Sequence, residues 1–376
     1  MGELSNMLRV TLRGSREANP TNFSADASSI TTSSLPRGTE SVVLITGAAG
    51  DLGRVTATVL ARFARPARIY IADLTPPPPP PSSSSSSSSP SDAVVIANDN
   101  DDATTPPPLA TQQQRTSLHF LPLDLSSFAS IRQCATSFLG RESSLDLLVL
   151  NAGIMRVKPC MTSEGYEGHF GINYLGHALL AKLLLPVMLR TAAAQVPQQA
   201  DEGVESISQS TTTTTKPRVV VVSSEGWAMA PKGGILFDKV KTNCASMTYT
   251  ARYGQSKLAL IHLTKHLATA HPQLDIIAIH PGRVNTGLGT ALSKESLLVR
   301  LCAPLAPFIS VDPEIGARNH LWAATSRNVV SGTYYEPVGV PDKEGPSARD
   351  EAMRERLWKW TEDELKGAVE AVETQT

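Results

Sequence analysis

The sequence predicts an α/β protein: one doubly wound domain with a mainly parallel seven-stranded sheet and helices on both faces. Three observations lead there. Short apolar runs rich in Val, Ile and Leu recur along the chain, stretches of helical character separate them, and a glycine-rich turn follows the first run. Continuous apolar runs suit strands buried on both faces, and their alternation with helices is the pattern of parallel strands joined by crossovers.

The expected strands are SVVLIT, RIYIADL, LHFLPLDL, LDLLVLNAG, RVVVVSS and DIIAIHPG, with GTYYEPV closing the edge. The expected helices are 52–65, 126–140, 164–190 and 250–271, followed by an amphipathic helix near 349–366 carrying Leu357, Trp358, Trp360 and Leu365. Two segments break the pattern. Residues 75–115 hold a proline run, a serine run and a polar stretch, and 191–216 end in a threonine run. Prolines favour extended polyproline II and serines favour flexible coil, and neither packs a core. Both are expected to be disordered surface insertions, because connections this long are otherwise rare in a compact domain. Residues 1–40 are expected to form a disordered tail, 41–366 the domain and 367–376 a second tail.

Composition narrows the function classes. The 376 residues, 41% hydrophobic and 18% charged, suffice for a sizeable core. A formal net charge of -1 with scattered basic residues gives no reason to expect nucleic acid or an anionic membrane as partner. Cys134, Cys160, Cys244 and Cys302 lie far apart without metal-ligand spacing, so neither a disulfide framework nor a metal site is expected. A reducing, cytoplasmic location fits that cysteine usage. No uninterrupted apolar run reaches the roughly 20 residues of a membrane-spanning helix, so no transmembrane segment is expected.

The first strand runs into Thr46-Gly47-Ala48-Ala49-Gly50-Asp51-Leu52-Gly53. Glycines here let the backbone turn sharply and approach a pyrophosphate, while the next helix offers free N–H groups and its positive dipole end. Such a turn is also simple structural punctuation. The second strand ends in Asp73, where a carboxylate accepts hydrogen bonds from ribose hydroxyls and repels a 2′-phosphate, or is merely a solvated strand-end acid. On the first reading, NAD(H) is favoured over NADP(H). Asp124 either hydrogen-bonds an adenine amino group or caps the helix beginning at Ser126. Asn151-Ala152-Gly153 ends the fourth strand with small residues that leave room for a flat ring.

Tyr253 and Lys257 stand four apart on a predicted helix, so phenol and ammonium share a face. A free tyrosine, with a pKa of about 10, is a poor base at neutral pH, and a neighbouring lysine favours the phenolate. The pair is also what an ordinary amphipathic helix offers. Ser223 and Ser224 close the run RVVVVSS, where a hydroxyl can hold a substrate oxygen as charge develops on it. Asn173 is unusual inside a helix, since its amide competes with the backbone; it either faces solvent or opens the helix for a water relay.

These residues resemble the short-chain dehydrogenase/reductase family. TGAAGDLG, Asp73, the LDL around Asp124, NAG, GINYLGHALL, VVSS, YGQSK and HPGRVNTGL occur in family order over about 42–290. The resemblance implies a Rossmann-type domain and a retinol-dehydrogenase-like or fungal secondary-metabolite oxidoreductase. It implies Tyr253 as general acid/base, Lys257 lowering its pKa and binding the nicotinamide ribose, Ser224 orienting the carbonyl and Asn173 holding a relay water. It further implies a cofactor set of Gly47, Gly50, Leu52, Gly53, Asp73, Asp124, Leu125, Asn151, Ala152, Gly153, Tyr253, Lys257, Pro281, Gly282, Val284 and Thr286. The expected substrate is a small molecule of lipophilic character, an alcohol or a carbonyl compound. The family's dimers and tetramers make 164–190 and 250–271 candidate interfaces. Residues 225–249 are expected to form part of the substrate mouth, and 287–312 a lid, a membrane-leaning helix or a dimer contact.

One departure stands out. The branch pattern Thr-Gly-x-x-x-Gly-x-Gly is altered, with Gly50 one place early and Asp51 where glycine is usual, a spacing similar to epimerase-like members. An epimerase or dehydratase, and a non-catalytic dinucleotide-binding scaffold, are therefore the alternatives to the oxidoreductase.

Overall fold

Successive residues of a strand point to opposite faces, so an all-apolar run supplies two cores at once. The structure, a computed structural model, describes residues 30–77, 93–95, 115–195, 215–285, 287, 295 and 310–373. In β1 (Val42–Thr46), Val42 and Leu44 join one buried cluster while Val43 and Ile45 join the other. The same division runs through β2 (Arg68–Asp73), β5 (Leu147–Leu150), β6 (Arg218–Val222) and β7 (Asp275–Ile279). With β4 (Ser117–Pro122) and β8 (Tyr334–Tyr335) these strands make a seven-stranded parallel sheet.

An eighth strand, β3 (Ala93–Val95), adds antiparallel to β4 and gives the order β3-β4-β2-β1-β5-β6-β7-β8. It lies within 75–115, expected to be without structure; a short β-branched run there completes the edge of the sheet. The rest of that insertion (78–92 and 96–114), 196–214 of the second, 1–29 of the expected tail, 288–294 and 296–309 of the expected lid, and 374–376 lie outside the described residues.

Helix α1 (Asp51–Val59), continued by a π turn at Leu60–Ala64, and α5 (Pro313–Thr325) cover one face. On the other lie α2 (Phe128–Leu139), α3 (Gly176–Ala194), α4 (Tyr249–Ala270) and α6 (Glu351–Glu373). Both expected domain ends move outward. Ile30 and Leu35 are buried, and Arg37 pairs with Asp146 at 2.7 Å. Asp146 is fully buried and also accepts from the backbone N–H of Val42, so its charge needs that cation. At the other end, α6 continues past 366 and buries Ala368.

The path of α6 changes the reading of α3 and α4 as interfaces. It packs against both, with Leu357, Thr361 and Leu365 buried and Tyr174 Oη 2.6 Å from Thr361 Oγ1. Trp358 stacks on His266, and Glu362 accepts from Lys182. Part of the face expected to meet a second copy is thus covered by the chain's own C-terminal helix. The stretch Phe170–Ala194 is long and apolar enough to cross a membrane, yet 78% of its apolar window is buried inside the protein.

Candidate active site

The strand order reverses direction beside β1, with β2 on one side and β5 on the other. In doubly wound sheets such a switch point opens a crevice at the carboxyl ends of the strands. A cavity of about 550 Å³ lies here, running from Asp73 and Asp124 to Tyr253 and Lys257.

At one end stands the glycine turn. Gly47 adopts φ +67°, a left-handed conformation that favours glycine, and its N–H donates to Ala72 O. A Cβ on Gly53 would lie 2.5 Å from Gly47 O and 2.7 Å from Ala48 Cα, so only glycine lets α1 start so close to the turn. Gly50 is the N-cap, and the first-turn N–H groups of α1 have no intrahelical partners. Asp73 Oδ2 accepts from Ala49 N at 2.9 Å and Oδ1 from Leu74 N at 2.7 Å, tying β2 to the turn. Asp51 Oδ2 accepts from Gly287 N at 2.8 Å.

Along the floor, Asn151, Ala152 and Gly153 line the groove. The Asn151 side chain faces the turn: its Nδ2 donates to Thr46 O and Gly47 O, and His320 Nε2 lies 3.1 Å from its Oδ1. Asn151 therefore holds the turn in place, and only its main chain is left to meet a ribose. Asp124 Oδ1 accepts from Ser126 N and Ser126 Oγ in a local turn, but α2 begins at Phe128 with Ser127 as its N-cap, so the expected capping role falls to Ser127. Asp124 and Leu125 border the groove.

At the other end α4 presents Tyr253 and Lys257, both buried. Lys257 Nζ donates to Val222 O at 2.8 Å and sits 5.7 Å from the centre of the Tyr253 ring. Burial lowers the Lys257 ammonium to about 7 and pushes the Tyr253 phenol up to about 12, against a hydrogen bond with Ser224 that favours ionisation. In this state Tyr253 is a protonated donor rather than a phenolate. Ser224 N-caps the short 3-10 helix Glu225–Met229, whose Gly226 packs so closely on the Tyr253 ring that a Cβ would lie 2.7 Å from Cε1. Ser223 faces the groove and donates to Lys257 O.

Asn173 is buried within a π-helical turn, Phe170–Leu175, so of the two alternatives it sits where the helix opens and does not face solvent. Its side chain is fully committed: Oδ1 accepts from Ile154 N at 2.7 Å, and Nδ2 donates to Ile154 O and Ser256 Oγ. Its main-chain O takes His177 Nδ1 at 2.9 Å. A carbonyl only accepts, so Nδ1 carries the proton and Nε2, 2.9 Å from Thr46 Oγ1, accepts from that hydroxyl. Thr46 Oγ1 in turn accepts from Asn151 N and Ala152 N. Sequence reasoning missed His177 and His320. The signal for His177 was available, since it stands four residues after Asn173, the same spacing that singled out Lys257.

Pro281 lines the groove, and Gly282 turns the chain at φ +90°. Arg283 Nε donates to Glu225 Oε1 at 2.6 Å, joining this loop to the Ser224 loop. Val284 bridges to Val311 and packs on Gly316 of α5, so its side chain braces the loop. Thr286 lies outside the described residues. Gly50, Leu52, Tyr253 and Lys257 border the cavity, while Gly53, Asn173 and Val284 support it from behind.

A family model described as short chain dehydrogenase matches residues 88–197. An uncharacterised oxidoreductase of Schizosaccharomyces pombe is 31% identical over 336 residues, 87% of this chain and 85% of that protein. A short-chain dehydrogenase/reductase of Aspergillus calidoustus is 35% identical, covering 66% of this chain and 77% of that one. Human retinol dehydrogenase 13 is 30% identical, covering 63% and 65%. Among solved structures, a protein from Mycobacterium paratuberculosis superposes with TM-score 0.56 at 25% identity, covering 89% of this chain and 97% of that one. An NADPH-bound carbonyl reductase from chicken fatty liver shares the fold, with TM-score 0.50 at 21% identity, covering 81% and 98%.

Proposed function

This chain belongs to the short-chain dehydrogenase/reductase family of oxidoreductases, and from that premise we propose that it interconverts an alcohol and a carbonyl compound using NAD(H). The preferred substrate is a lipophilic secondary alcohol or its ketone, and secondary metabolism in the cytoplasm is the setting. The observation that carries the reading is the meeting of Tyr253 and Lys257 at one end of a groove whose other end is a glycine turn, with Ser224 hydrogen-bonded to the Tyr253 phenol.

When bound, the nicotinamide supplies hydride chemistry; the protein supplies position and proton transfer. The glycine turn, in which a Cβ on Gly47 or Gly53 would strike neighbouring main chain, and the free first-turn N–H groups of α1 suit a pyrophosphate. In the reducing direction, Tyr253 Oη donates its proton to the carbonyl oxygen as that oxygen gains negative charge, and Ser224 Oγ hydrogen-bonds the same oxygen. Lys257, held by Val222 O, stands beside the phenol and stabilises the tyrosinate left behind once its own amine is protonated. Asp73 ends β2 and lines the groove, and a carboxylate that met the adenosine ribose there would repel a 2′-phosphate, which supports NAD(H) over NADP(H). The cover of α6 over α3 and α4 supports assembly, if any, through another face.

Fluorescence titration of the purified protein with NADH and NADPH, repeated with Asp73→Ala, tests the cofactor reading. NADH is expected to bind more tightly, and the substitution to narrow the difference. Tighter NADPH binding by the unaltered protein contradicts the preference.

A further inference from the structure

The groove carries an unusual charge pattern. Three of its lining side chains are carboxylates (Asp51, Asp73 and Asp124), and Lys257, at the far end, is the one basic side chain among the described lining residues. Each carboxylate is held by neutral donors: Ala49 N and Leu74 N for Asp73, Ser126 for Asp124 and Gly287 N for Asp51. None of the three has a cation within 4.0 Å among the described residues.

Asp51 is the most consequential of them. It opens α1 directly after the N-cap Gly50, where the first-turn N–H groups and the dipole end would attract a pyrophosphate. A carboxylate there is itself stabilised by that field. It repels a phosphate drawn to the same place, and because Asp51 is only partly buried the repulsion is open to screening by salt.

We propose that Asp51 is a built-in anionic competitor that sets dinucleotide affinity, weakening it so that the cofactor exchanges at each turnover. The proposal rests on the dinucleotide reading above and deepens it. A cofactor held through many turnovers, as an epimerase or dehydratase needs, is disfavoured by the same charge. Nucleotide exchange is a common limit on turnover, so a weaker hold is a gain where the cofactor must leave as product.

The test is NADH titration of wild type, Asp51→Asn and Asp51→Gly at low and high salt, with thermal unfolding to show that all three are folded. Asp51→Asn keeps an acceptor for Gly287 N and loses only the charge; Asp51→Gly loses both. Both variants are expected to bind NADH about three- to tenfold more tightly at low salt, from the removal of one negative charge close to the pyrophosphate. The advantage shrinks as salt screens the wild-type charge. Wild-type binding with no gain in Asp51→Asn overturns the proposal and leaves the dinucleotide site standing, even if Asp51→Gly gains. No NADH binding by any of the three overturns the dinucleotide reading, and the proposal with it.

Discussion

The two ends of the groove are built by different means. At the Tyr253 end, side chains from distant parts of the chain are buried and locked into one network: Lys257 on Val222 O, Asn173 on Ile154 and Ser256, and His177 between Asn173 O and Thr46. At the Gly47 end, a local turn exposes backbone donors, and the charged side chains lining that end are acids. Burial therefore controls the chemistry at one end, while backbone shape and charge control binding at the other. Changes at the first should impair turnover or stability; changes at the second should act on cofactor affinity.

The largest separation of the two ends is expected from Lys257→Met. Loss of the amine beside Tyr253 should lower turnover by about 10²- to 10⁴-fold, the range for removal of proton-transfer assistance, while the glycine turn still takes up NADH more weakly. Steady-state kinetics beside a titration measures both, and unchanged turnover breaks the division. Gly53→Ala attacks the other end. Its methyl would strike Gly47 O and Ala48 Cα, both backbone, so a destabilisation of about 1–3 kcal/mol is expected together with loss of NADH binding. Asn173→Ala should cost a similar amount, about 1–3 kcal/mol, by leaving Ile154 N–H and Ser256 without their buried partner. Denaturant unfolding reads both costs.

The smallest effect concerns pH. Burial lowers His177, His280 and His320 from the ordinary 6.5 to about 4. Between those values the unfolded chain binds more protons than the folded one, so their contribution is complete above pH 6.5 and drains away as pH falls towards 4. Lys257, lowered by burial from 10.5 to about 7, adds stability as pH rises from about 7 to 10.5. Unfolding midpoints at pH 5, 7 and 9 should therefore climb, and His177→Gln should flatten the acid side. A flat profile in the unaltered protein contradicts the burial assigned to these groups.

Much of this was legible in the sequence because it is local or periodic. The seven parallel strands are apolar runs in the chain, and the Tyr253–Lys257 pair is a helical repeat. What was not legible depends on contacts between distant segments. Ile30, Leu35 and Arg37 look like tail until Asp146 needs a cation. The role of Asn151 as a brace for Gly47 depends on where β1 and β5 end relative to each other. The burial of α3 and α4 under α6 depends on the path of a C-terminal helix that the sequence marks only as amphipathic. Helix α5, whose His320 reaches Asn151, lacks a strong apolar stripe and was not anticipated.

The central claim is that one groove binds a dinucleotide and that Tyr253 transfers the proton at its far end. The most direct measurement is NADH binding and NADH oxidation with a panel of lipophilic ketones, made side by side on wild type and Tyr253→Phe. Both proteins should bind NADH equally, and only the wild type should oxidise it when a ketone is accepted. Turnover by Tyr253→Phe at the wild-type rate would contradict the account.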